Sequence, residues 1–67
     1  MANLEKLRKK IDESGLKLDY ISDCLAINRG SLYNKLQGKT EFVVSEAGLL
    51  KDILGLSEKE ASSIFFK

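Results

Sequence analysis

Arg29, Gly30, Ser31, Tyr33 and Asn34 fall within one short stretch of the chain, with Lys17 ahead of it and Lys35, Lys39 and Thr40 at its far end. These side-chain types read nucleic acid. Arg bonds bidentately to guanine O6 and N7, and Asn does the same to adenine N6 and N7. Tyr33 offers a hydroxyl to a phosphate or a ring to a thymine methyl, and Ser31 offers a hydroxyl to a phosphate oxygen. The lysines and Thr40 supply backbone contacts, which hold a protein in register while the base contacts choose the sequence. Each residue alone has a blander reading as solvated surface. Their convergence points to double-stranded DNA, with Arg29, Gly30, Tyr33 and Asn34 at the bases and Lys17, Ser31, Lys35, Lys39 and Thr40 at phosphates.

Residue types argue against other chemistry. There is no His and only one Cys, so an intramolecular disulfide is excluded and a structural zinc site is not expected. Cys24 has no evident catalytic partner, and Asp12 with Glu13, or Asp19 with Asp23, fits solvated helix surface better than a carboxylate pair. Gly38-Lys39-Thr40 matches only the end of a phosphate-binding P-loop; the earlier glycine and the preceding strand are missing. No enzymatic activity, metal, cofactor or small-molecule ligand is expected.

The elements that position these residues follow from apolar spacing. Proline is absent and no segment alternates with period two, which predicts an all-α chain. Leu4, Leu7 and Ile11 predict a first helix over about 3–14, ended by Ser14-Gly15. Leu18, Ile21 and Leu25 predict a second over about 18–25, with Leu16 as an anchor ahead of it. After Ala26-Ile27-Asn28, Leu32 and Leu36 give the third helix, about 29–37, an inner seam. Asn28 is suited to cap its start and Gly38 to close its end. Phe42 and Val43-Val44 lead to a fourth helix, about 44–54, with Ala47, Leu50, Ile53 and Leu54 inward. Ser57-Glu58-Lys59-Glu60 has the form of a capping box and opens a fifth through Ala61, Ile64 and Phe65.

Sixty-seven residues without linkers or repeats predict a single domain, 1–67, whose small core leaves no room for an internal active site. The formal net charge is only +1, yet residues 1–40 carry eight basic and five acidic groups while 41–67 carry three and five. The half containing the candidate readers is the more basic one. No apolar run approaches the ~18 residues of a membrane span. Met1-Ala2-Asn3-Leu4-Glu5-Lys6 reads as the start of an amphipathic helix rather than a secretion-type leader. With the unpaired thiol, this gives a cytoplasmic expectation.

The order of these features closely resembles the five-helix DNA-binding domain of phage lambda-type repressors, Cro proteins and the wider Xre family. The resemblance runs from Leu4 to Phe65. It rests on Gly15-Leu16, Ile21, Leu25, Ile27-Asn28-Arg29, Leu32 and Gly38-Lys39-Thr40, then Ile53-Leu54-Gly55-Leu56-Ser57. More narrowly, the chain looks like short prophage-associated regulators of Gram-positive bacteria. The resemblance implies a compact lambda-repressor-like fold with a helix-turn-helix whose second helix enters the major groove. By position it implies base reading by Arg29, Gly30 and Asn34, with Tyr33 adjacent, and phosphate contacts from Lys17, Leu18, Lys39 and Thr40. It also implies a homodimer, formed in solution or only on DNA.

Three positions depart from that pattern. Lys17 and Leu18 stand where Ser or Thr and then Gln are usual, and Leu18 cannot make Gln's phosphate bond. Ala26 replaces the usual Gly of the turn, which implies helical or near-helical backbone there, because Ala tolerates positive φ poorly. Gly30 removes a side chain from a base-facing site at up to ~1 kcal/mol of helix stability. The alternative class is a partner-binding module on the same fold, antirepressor-like or antitoxin-like. Leu18, Cys24 and Phe65-Phe66 are its candidate contacts, against the blander reading of core edge, filler and chain end.

Overall fold

The computed structural model describes residues 3–66, and Met1, Ala2 and Lys67 lie outside the described residues. Five helices follow in order: α1 (Leu4–Ser14), α2 (Leu18–Leu25), α3 (Arg29–Leu36), α4 (Val44–Leu54) and α5 (Glu58–Phe65). No strand occurs among the described residues. The helices share one core, within extents of 28 × 23 × 20 Å. Its fully buried large side chains are Leu7, Ile21, Leu32, Leu50 and Ile64, one from each helix. Helix α4 packs against α1, α2 and α5, while α3 lies on α2. Leu16, Leu18, Ile27 and Phe42 are half-buried at the core's edge. No helix among the described residues is long and apolar enough to cross a membrane.

Helices of eight to eleven residues depend on their ends. Asn3 Oδ1 accepts from the Lys6 amide at the start of α1, and Asn28 Oδ1 accepts from the Ser31 amide at 2.7 Å at the start of α3. At α4 the Glu46 carboxylate accepts from the Val43 amide. At α5 Ser57 and Glu60 satisfy each other's backbone amides. Glu60 also ties α5 to α1, its second oxygen lying 2.8 Å from Lys10 Nζ. The Lys10 ammonium, then the Ser57 amide, hold the Glu60 carboxyl down at about 2.

One local expectation is overturned. Ala26 is not near-helical; it sits in the left-handed region at φ 59°, ψ 36°. The reason lies in how α2 must end. With residue 26 left-handed, the Ala26 amide donates to Asp23 O and the Ile27 amide reaches back to Ser22 O, both at 3.1 Å. This double closure satisfies carbonyls that the helix leaves orphaned and turns Ile27 onto the core. Two hydrogen bonds and that burial outweigh the ~1–2 kcal/mol an L-residue loses in this conformation. The same bond pattern ends α3 at Gly38 and α4 at Gly55, where glycine bears no such cost.

Two outcomes follow for stability. Ala26→Gly is expected to raise unfolding free energy by about 0.5–1 kcal/mol, because relief of the left-handed strain exceeds the added unfolded-state entropy. Ala26→Val is expected to lower it; urea titration of both variants checks the pair, and a stabilised Val variant would refute the strain. Glu60 has a depressed folded pKa, so its contribution is complete above the ordinary value of 4.5 and is lost as pH falls toward about 2. Glu60→Gln should therefore flatten the stability–pH curve within that acid window and leave its shape at neutral pH unchanged.

Candidate nucleic-acid interface

Leu32 and Leu36 are buried, and their burial fixes how α3 is rotated about its own axis. With 3.6 residues per turn, Arg29 and Tyr33 then share one flank, Gly30 and Asn34 lie outermost, and Ser31 and Lys35 share the other flank. Arg29, Gly30, Tyr33 and Asn34 are all exposed. The Asn34 side chain makes no hydrogen bond among the described residues. Tyr33, 52% exposed, borders an open groove of about 310 Å³ with Leu16, Leu18, Asp12 and Gln37. Leu16 and Leu18, at the approach to α2, thus line the same groove as Tyr33 of α3.

Lys17 is the exposed N-cap residue of α2, in extended backbone and with no capping bond from its side chain. Lys39 and Thr40 are exposed in the turn after α3. That turn is held by the Gly38 amide donating to Lys35 O and the Lys39 amide donating to Asn34 O. Gly38 has φ +84°, and a Cβ there would lie 3.2 Å from Leu4 Cδ1, so backbone and packing both favour glycine. Arg8, on α1, donates from Nη1 to Leu36 O at 3.3 Å and so satisfies a terminal carbonyl of α3.

Lys35 departs from its expected role at a phosphate. Its Nζ lies 3.2 Å from Glu46 Oε1, donates to Glu41 O at 2.9 Å and stands 5.9 Å from the centre of the Phe42 ring. Its side chain is only 13% exposed and that of Glu46 11%. Lys35 lies three residues after Leu32 and one before Leu36, on a flank that α4's first turn covers. The ammonium is therefore spent inside the protein. Ser31, on the same flank, is half-buried.

Arg29 also has a partner the sequence did not disclose: Nη1 lies 3.3 Å from Asp19 Oδ1, with both side chains about two-thirds exposed. Asp19 and Arg29 stand ten positions apart in different helices, so only the angle between α2 and α3 brings them together. Gly30 has no structural necessity. Its φ is not positive, and an added Cβ would meet only Asn28 Oδ1, at an ordinary 3.4 Å.

Elsewhere, Val43, Val44 and Phe66 are exposed beside a hollow of about 120 Å³ that Phe42 and Phe65 help to line. Phe65 is half-buried and meets Phe42 edge to face at 6.0 Å. No group of acidic or sulfur ligands able to hold a metal ion occurs among the described residues. No protein-family model, curated protein or solved structure matches the chain.

The two lysines of α3 and its turn should separate cleanly in a stability assay. Lys35→Ala strands the Glu46 carboxylate in a mostly buried site and is expected to cost about 1–3 kcal/mol. Lys39→Ala, at an exposed position, should stay within about 0.5 kcal/mol of wild type. Equal effects in thermal unfolding would contradict the inward placement of Lys35.

Proposed function

We propose that this protein binds double-stranded DNA through α3, with α2 and α3 acting as a helix-turn-helix in a lambda-repressor-like domain, and regulates transcription as a repressor or Cro-like protein. The observation that carries the reading is the outer strip of α3. Two buried leucines anchor the helix while Arg29, Gly30, Tyr33 and Asn34 stand exposed together, Arg29 paired with the equally exposed Asp19. None of these four serves the core. Arg29 and Asn34 are the readers, Tyr33 is an adjacent contact, and Lys17, Lys39 and Thr40 flank the helix as phosphate contacts. Ser31 contributes less than its sequence position implied, and Lys35 acts only by holding α3 against α4.

Gly30 acquires a purpose in this reading. The fold has room for a side chain there, so its omission lets the α3 backbone approach the groove floor closely. The flanking charge is thin, and a single domain therefore binds weakly and with a steep salt dependence. Two copies on a two-fold related site supply the missing affinity. The exposed Val43, Val44 and Phe66 support a second reading, in which the same fold serves as a protein-interaction module with little DNA binding.

Duplexes selected from a randomised pool, titrated over a salt series, distinguish these readings. Arg29→Ala and Asn34→Ala should each weaken the selected duplex by about 1–3 kcal/mol and relax preference at one position. Lys39→Ala should weaken all duplexes alike and lower the salt slope by about one. Gly30→Ala should raise unfolding stability by up to ~1 kcal/mol while weakening DNA binding, a split that a purely structural glycine does not produce. Absence of salt-dependent binding by the folded wild type would turn the assignment to the interaction module.

A further inference from the structure

We infer that Asp19 is a positioning residue for base selection, acting through Arg29; the inference rests on the DNA reading above. Arg29 Nη1 lies 3.3 Å from Asp19 Oδ1, across the junction between the first turn of α2 and the first residue of α3. Both side chains are largely exposed on the surface proposed to meet DNA, at 66% and 70%. A pair this exposed contributes little to folding. Asp19 lies in the first turn of α2, where the helix dipole favours a carboxylate, but the dipole does not call for its contact with Arg29. A carboxylate facing a polyanion also opposes binding in general. The contact itself bears on selection through what it does to the arginine.

An unrestrained Arg at a helix start samples many rotamers and bonds to whichever phosphate or base edge it meets. The contact with Asp19 occupies one Nη1 donor and leaves Nη2 and Nε, with their fixed planar geometry, to a base. The restrained fork meets guanine O6 and N7 without first losing its rotamer freedom. A phosphate contact would require the pair to break and Asp19 to stand unpaired beside the DNA backbone. Asp19 thereby lowers affinity for arbitrary sequence more than for the correct base. Asp23, the other acidic residue of α2, makes no side-chain contact with Arg29 among the described residues, so the effect belongs to Asp19.

The test compares wild type, Asp19→Asn, Arg29→Ala and the double variant. The two probes are the duplex that wild type selects from a randomised pool and a scrambled duplex of the same composition. Far-UV circular dichroism and thermal unfolding confirm that each variant is folded. Asp19→Asn should tighten the scrambled duplex several-fold and steepen its salt dependence, since the DNA-facing charge rises by one. The ratio of selected to scrambled affinity should fall by about tenfold. In the Arg29→Ala background the same Asp19 change should leave that ratio unaltered, which a simple loss of repulsion would also leave unaltered in both backgrounds. A selective wild type whose ratio survives Asp19→Asn, or whose ratio falls equally in both backgrounds, overturns the inference and leaves the DNA reading standing. A wild type that binds duplexes without preference likewise overturns it. A wild type that binds no duplex overturns both.

Discussion

An eight-residue helix such as α3 makes too few backbone bonds to persist by itself, so its existence and its orientation are set by what grips its inner side. Leu32 and Leu36 supply that grip, sealed in the core against the other helices. The Asn28 cap, the Gly38 closure and the Arg8 guanidinium satisfy backbone groups at its two ends. The Lys35–Glu46 pair fastens its remaining flank to α4. These tethers act at the inner side, the two ends and the Lys35 flank of α3. The outer strip is thus left with no structural duty and is held in a fixed direction, which is the requirement for a surface that reads another molecule.

The same tethers limit the charge available outside. A lysine that counts toward the basic balance of the first forty residues is withdrawn to a carboxylate on α4, and Arg29 shares its charge with Asp19. Net charge, or even its division between halves of the chain, is then a poor measure of electrostatic footprint. What matters is which cations reach solvent without a partner. Lys17, at the start of α2, and Lys39, in the turn after α3, are exposed and make no ion pair among the described residues.

The legible part of the sequence is the part governed by short-range rules. Apolar period placed all five seams, and Asn28, Ser57 with Glu60, and the left-handed Gly38 followed from capping chemistry that acts within four residues. What escaped depends on contacts between helices. At Ala26 local propensity disfavours positive φ, whereas closing α2 and burying Ile27 impose it. The inward engagement of Lys35 depends on Glu46, eleven positions on in the next helix. The sequence does carry a signal for this pair: Lys35 is three residues from Leu32, and Glu46 stands at the third position of a helix start, where a carboxylate is drawn inward. Asp19–Arg29 and Arg8–Leu36 offered no comparable local sign.

A thin set of free cations and a narrow reading strip bear on how such a domain would work. Each phosphate contact releases counterions, so affinity depends on how many such contacts act at once rather than on the quality of any one. On the proposed DNA reading, few contacts per copy would leave a single α3 little residence time on DNA, and base contacts from Arg29 and Asn34 would discriminate only while the helix is held in the groove. Joining two copies makes the second engagement effectively intramolecular and multiplies affinity without any new kind of contact. The exposed Val43, Val44 and Phe66 adjoin the turn that carries Lys39 and Thr40. A contact between copies there would lie beside the end of α3 that is proposed to face phosphate. On the proposed reading, coupling of that kind would make assembly and DNA binding favour one another, and would link the apolar exposure to the sparse free charge around α3.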